Sequence, residues 1–172
     1  MKRILEISDE DVGYEPKDNS ERPRTAARAI VTKRGLVALL NVSKHKYYKL
    51  PGGGVEDGET VQQGLEREVL EETGCRIRVK GEVGEIIEHR SHIGEVQTSH
   101  CFLAEVVREG KPSFTDEELA AGFELVWAPL KKAIELVGKG SPDTYDGKFI
   151  VKRDVEFLKA AKKLRAVIPS SS

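Results

Sequence analysis

Glu68, Glu71 and Glu72 stand at i, i+3 and i+4 in the run Arg67-Glu68-Val69-Leu70-Glu71-Glu72-Thr73-Gly74. Carboxylates grouped this way can hold a hard divalent cation or move a proton. Whether they share one face depends on the element that carries them. Thr60 followed by Gln63 reads as a capping box, and Gly74 sits where a left-handed C-terminal cap belongs. The spacing predicts a helix from about Val61 to Glu72, closed by a Schellman motif that sets Cys75 against Leu70. On that helix the three glutamates fall on one face in the last turns, where they repel one another and oppose the macrodipole. Their face adjoins the apolar arc of Val61, Leu65 and Val69, so they are expected near the core. A solvated charged face would avoid these penalties; a bound divalent cation would reverse them. Just upstream, Gly52, Gly53 and Gly54 carry no side chains and would let a phosphate approach the backbone closely.

Position by position, Gly53, Glu59, Arg67-Glu68-Val69, Glu71-Glu72, Gly74 and Cys75 resemble the Nudix box. Cys75 stands where that pattern usually has a larger aliphatic residue, and Cys packs as a small hydrophobe. The resemblance covers about residues 24–137 and is to the MutT-like Nudix hydrolases. It implies an α/β fold, an α/β/α sandwich with a mixed β-sheet. It also implies hydrolysis of a nucleoside diphosphate linked to another group X, with Mg2+ or Mn2+ as cofactor. Under this resemblance Glu68 and Glu72 are the principal metal ligands, Glu71 bridges or supports them, and the Gly52 carbonyl completes the set. Glu68, Glu71, Arg67 and Glu59 make up the catalytic group. Arg67 points away from the metal face on a helical wheel and is assigned to Glu59 as a structural partner. Two residues compete for the general base, Glu68 and Glu124, the latter in Phe123-Glu124-Leu125-Val126-Trp127. Gly53, Gly54, Lys49, Tyr48 and Arg90 are the candidates for binding substrate.

The stretch Glu88-His89-Arg90-Ser91 lacks the proline that ADP-ribose-cleaving relatives often carry beyond the box. By elimination the chain resembles pyrophosphatases of (d)NTPs or modified nucleotides that release a nucleoside monophosphate. An ADP-ribose or nucleotide-sugar pyrophosphatase is the alternative, as is a non-catalytic nucleotide-sensing module. Sensors tend to lose box carboxylates, whereas Glu59, Arg67, Glu68, Glu71 and Glu72 are all present.

The 172 residues favour one domain, and 38% hydrophobic against 33% charged residues describe a soluble globular chain. A net charge of -1 argues against nucleic acid as partner, and no apolar run approaches bilayer length. The expected partner is a small-molecule nucleotide, the expected compartment the cytoplasm; the oligomeric state is open, a homodimer included. Cys75 and Cys101 are expected to be free thiols, and His89, His92 and His100 show no zinc-ligand spacing with Cys101.

Around the box helix the chain divides into an N-terminal extension (1–23), the Nudix domain (24–168) and a frayed tail (169–172). Strands are expected at 3–7, 26–32, 36–42, 76–79, 83–89, 96–107 and 123–127, with a break at Gly81 and a hairpin tip at 91–94. Thr115 reads as the N-cap of a short turn, and Pro129 opens a helix through Val137. Ile150, Val151, Val155, Leu158, Ala161 and Leu164 pattern a last helix.

Overall fold

In the computed structural model, which describes residues 1–167, the apolar runs of the sequence become strands of one mixed sheet. The strands are β1 (Arg3–Ile7), β2 (Arg22–Lys33), β3 (Leu36–Val42), β4 (Tyr47–Lys49), β5 (Gly52–Gly54), β6 (Arg76–Arg90), β7 (Glu95–Arg108) and β8 (Phe123–Pro129). The helices are α1 (Val61–Thr73), α2 (Asp116–Ala120), α3 (Leu130–Gly138) and α4 (Tyr145–Val167). Strand order is β1-β6-β7-β2-β3-β4, with β5 paired to β2 and β8 to β3. β1 runs parallel to β6 and β2 parallel to β7; the other pairs are antiparallel.

Strand alternation splits the core in two. Ala27, Ala29 and Val31 of β2 and Ala38 of β3 pack with Leu65 and Val69 of α1. Ile30 and Leu39 face the other way, onto Ala133 and Val137 of α3 and Phe149, Phe157 and Leu158 of α4. The result is the expected α/β/α sandwich. Among the described residues no helix is long and apolar enough to cross a membrane.

α1 begins as its caps dictate. Gln63 N–H donates to Thr60 Oγ1 (3.1 Å), and Thr60 N–H donates to Gln63 Oε1 (2.9 Å). It ends at Gly74 with φ 72°, but not in a Schellman motif. Gly74 N–H donates to the Leu70 carbonyl, while Cys75 N–H goes to Thr73 Oγ1 instead, and Leu70 is left 38% exposed. This single-bond closure is the simpler αL cap.

Two other expectations are corrected. β6 is not broken at Gly81; register shifts at Val79/Gly81 and Glu82/Gly84 mark bulges that carry the strand past its glycines. In α4 the buried stripe is Phe149, Arg153, Asp154, Phe157, Leu158 and Ala161, whereas Ile150, Val151 and Val155 are half-buried. The apolar pattern misplaced the face because two of its central positions are charged. The N-terminal stretch is built into the body: β1 extends the sheet, Lys17 N–H donates to Ser91 Oγ (2.7 Å), and Asn19 donates to the Ser91 carbonyl (2.8 Å). The tail at 169–172 lies outside the described residues. Cys75 and Cys101 are buried and free.

Candidate active site

The glycine run becomes β5, lying antiparallel on β2 with Gly52 opposite Arg28 and Gly53 opposite Ala27. Gly52 has φ 135°, and a Cβ there would run into the Ala27 carbonyl. A Cβ at Gly53 would overlap the Glu68 carboxylate. Gly52 therefore requires glycine, whereas a side chain at Gly53 would displace the Glu68 carboxylate from the strand.

Arg67 ties loop, strand and helix together. Its Nε and Nη2 donate to Glu59 Oε1 (2.7 Å) and Oε2 (3.0 Å), and Nη2 also reaches the Gly54 carbonyl (3.0 Å). The fork is bidentate, which fixes direction as well as charge. Hydrogen bonding from Arg67 holds the Glu59 carboxyl down at about 2. The wheel pointed Arg67 away from the glutamate face. Its long side chain folds back instead, and Nη1 donates to Glu68 Oε1 (2.7 Å).

The three glutamates do not share one environment. Glu72 is 3% exposed; its Oε1 takes Lys49 Nζ at 2.8 Å and its Oε2 takes Gly52 N–H at 2.8 Å. Glu68 is partly covered, and Glu71 stands half in water. Burial pushes the Glu72 carboxyl up, with Lys49 pulling against it. Burial and then the charge of Glu68 push Glu71 up. Desolvation thus leads at both positions, ahead of the mutual repulsion that the spacing suggested.

Among the described residues no three His, Cys, Asp or Glu side chains are gathered closely enough to hold a metal ion as they stand. The reason is local: Glu72 is turned onto Lys49, and Glu68 onto Arg67. The donor chemistry still fits a divalent cation. Carboxylate and carbonyl oxygens are what Mg2+ or Mn2+ takes, and the missing side chain at Gly53 is what lets the Glu68 carboxylate lie against the strand beside Gly52.

The remaining candidates are placed apart from this cluster or already engaged. Lys49, expected to meet substrate, is buried against Glu72. Arg90 is also buried: Nη2 donates to Glu88 Oε1 (2.6 Å) and its guanidinium lies over the Phe149 ring. Tyr48 packs against the core beneath α3 and α4. Glu124 is exposed and registers with Asn41, while its neighbours Leu125 and Trp127 pack on the α1 side. Alternation therefore turns Glu124 to the opposite face of the sheet from α1.

A buried network escaped the sequence reading. Asp154 Oδ2 accepts Leu50 N–H (2.8 Å) at the entrance to the glycine run, and Arg153 Nε holds Asp154 Oδ1 (2.7 Å). Arg153 also faces Glu88, whose Oε2 accepts from Gln97 and Ser99, each at 2.7 Å. Burial alone would raise Glu88, but Arg153 and Arg90 overcome it and hold the carboxyl at about 2. The available signal was position: Arg153 and Asp154 fall on the same helical arc as Phe149, Phe157 and Leu158.

The NUDIX domain family model matches residues 22–147. The chain belongs to the Nudix family. Within the family it is similar to the oxidized purine nucleoside triphosphate hydrolase of Mus musculus, at 35% identity over 78 residues, 45% of this chain and 49% of that one. It is also similar to the ADP-ribose pyrophosphatase of Methanocaldococcus jannaschii, at 37% identity over 65 residues, 36% of this chain and 38% of that one. The Nudix chain thus spans about half or less of the length of these relatives. Its fold resembles the solution structure of the E. coli ORF135 protein (TM-score 0.59, 22% identity, 88% of this chain and 96% of that). It likewise resembles a NUDIX hydrolase from Nitrosomonas europaea (TM-score 0.59, 20% identity, 82% of this chain and 91% of that).

Proposed function

We propose that this Nudix protein is a Mg2+- or Mn2+-dependent hydrolase of a nucleoside diphosphate linked to X. The preferred substrate class is a (d)NTP or modified nucleoside triphosphate, with a nucleoside monophosphate as product. The observation that carries the reading is the contact between Glu68 and Gly53: a catalytic-type carboxylate lies directly against a side-chain-free strand. A divalent cation at this place would lower the pKa of a bound water and neutralise charge developing on the phosphates.

The chain's own groups supply the rest. Gly53 and Gly54 admit the diphosphate to the backbone, and Glu68, Glu71, Glu72 and the Gly52 carbonyl are the oxygens that would hold the cation. Arg67 and Glu59 hold β5 and α1 in fixed relation, which orients those oxygens. Glu68 is the better general base of the two candidates. Its Oε1 is anchored by Arg67, leaving Oε2 to take a proton from the attacking water, whereas Glu124 faces the far side of the sheet. Attack on phosphorus breaks the phosphoanhydride P–O bond and releases the monophosphate.

Similarity to the ADP-ribose pyrophosphatase of M. jannaschii supports a second substrate reading, an ADP-ribose or nucleotide-sugar diphosphate. A substrate panel in Mg2+ with products separated chromatographically decides between them. Triphosphates should yield nucleoside monophosphate and pyrophosphate; faster turnover of ADP-ribose would favour the second reading, and no turnover of either would leave a sensing module.

A further inference from the structure

We infer that Lys49 is a built-in cation of the metal site, which holds Glu72 and the Gly52 carbonyl in the metal-free chain and is expelled when a divalent ion binds. The inference rests on the metal reading above and adds to it a residue outside the box. Lys49 Nζ lies 2.8 Å from Glu72 Oε1 and 3.4 Å from the Gly52 carbonyl oxygen. These are two of the four oxygen donors assigned to the divalent ion. One cation therefore stands where another is needed.

The pairing has a physical cause. Glu72 is fixed in a buried position by its other oxygen, which accepts Gly52 N–H at 2.8 Å. A carboxylate so placed needs a positive charge, and burying it alone would be costly. The ammonium on its flexible stem, with three donors, provides that charge; its side chain is 10% exposed and the Glu72 side chain 4%. An ammonium and a divalent ion cannot share Glu72 in so small and dry a space, because like charges at contact distance repel strongly there. Once displaced, the ammonium keeps, among the described residues, only the Phe123 ring 5.5 Å away and must move toward water. The exchange lowers metal affinity and keeps the site folded when empty. It also means that the arrangement of Glu72 seen here, turned from Glu68 and Glu71, is the lysine-bound form.

Calorimetric titration of chelator-stripped protein with MgCl2 and MnCl2 tests this, using wild type, Lys49→Met and Lys49→Arg. Removing the competing charged hydrogen bond should tighten Mg2+ binding in Lys49→Met by roughly tenfold to a hundredfold, the worth of such a bond. Lys49→Arg keeps the charge and should bind no more tightly than wild type. If Lys49→Met binds Mg2+ equally or more weakly, Lys49 is not a competitor and this inference fails while the metal site stands. If wild type binds neither ion, the site reading fails and takes this one with it. A measurement on unmutated protein covers the case in which Lys49→Met does not fold. Acetic anhydride labelling followed by peptide mass spectrometry should show Lys49 protected in EDTA and reactive in saturating Mg2+. Unchanged labelling of Lys49 would overturn the exchange.

Discussion

Glu71 and Glu72 are adjacent in the chain, yet one meets water and the other meets a lysine. Their box positions are legible in the sequence, and so is the face they share. Their separate environments are not, because Lys49 reaches Glu72 on α1 from β4, 23 residues earlier. The two substitutions should therefore behave differently in metal-free protein. Glu71→Gln removes a half-exposed charge next to Glu68 and should leave the melting temperature in EDTA unchanged or slightly higher. Glu72→Gln strips a buried lysine of its counter-charge and sets an amide against the Gly52 N–H. Breaking a buried pair from one side costs about 3–5 kcal/mol, reduced here to the extent that the amide oxygen still accepts from Lys49. Thermal melts of the two variants check this, and equal melting temperatures would show that the Lys49–Glu72 pair contributes nothing.

At the scale of elements, α1 could be read almost to the residue, because local chemistry sets both of its ends. Thr60 with Gln63 opens it and Gly74 closes it. α4 could not. Thr144 caps its start locally, its Oγ1 accepting Gly147 N–H (3.0 Å), but the burial of Arg153 and Asp154 follows from partners on β6 and at Leu50, far away in sequence. The helix consequently does more than cover the sheet: through Asp154 it fixes the backbone that enters the glycine run. Asp154→Ala frees Leu50 N–H and leaves Arg153 with only part of its counter-charge, so it should destabilise the protein by about 3–5 kcal/mol. Urea denaturation measures that loss. Asp154→Asn, which keeps an oxygen for Leu50 N–H, should lose less; an Asn variant as unstable as the Ala variant would show that the charge toward Arg153 matters and the Leu50 anchor does not.

For the whole molecule, the long strands were legible from apolar patterning, while β4 and β5, which lack that pattern, and the parallel pairings of β1 with β6 and β2 with β7 were not. Such pairings join distant segments and leave no local mark. The same holds for the polar seam under α4, where Glu88 is fully buried between Arg153 and Arg90. This seam should govern acid stability. The folded Glu88 carboxyl is held at about 2, below its ordinary 4.5. A depressed carboxyl stabilises the fold above the unfolded value, and that contribution is lost as pH falls toward the folded one. Wild type should therefore lose stability relative to Glu88→Gln as pH falls from 4.5 to about 2, and should exceed it at pH 7. Denaturation of both proteins across that range reads the difference; parallel curves would mean that Glu88 is neutral inside the seam.

The proposed place of phosphoanhydride hydrolysis is where Glu68 meets the glycine run. Its most direct test is the steady-state rate of nucleoside monophosphate release from a triphosphate in saturating Mg2+, for wild type, Glu68→Gln and Glu124→Gln. Loss of a general base costs about a hundredfold to ten-thousandfold, so Glu68→Gln should fall by at least that much in kcat. Glu124→Gln should stay within about twofold of wild type, since a side chain across the sheet adds no contact in the transition state. Wild-type activity should vanish in EDTA. A Glu68→Gln variant that keeps wild-type kcat in Mg2+ while Glu124→Gln is inactive would move the chemistry to the other face of the sheet.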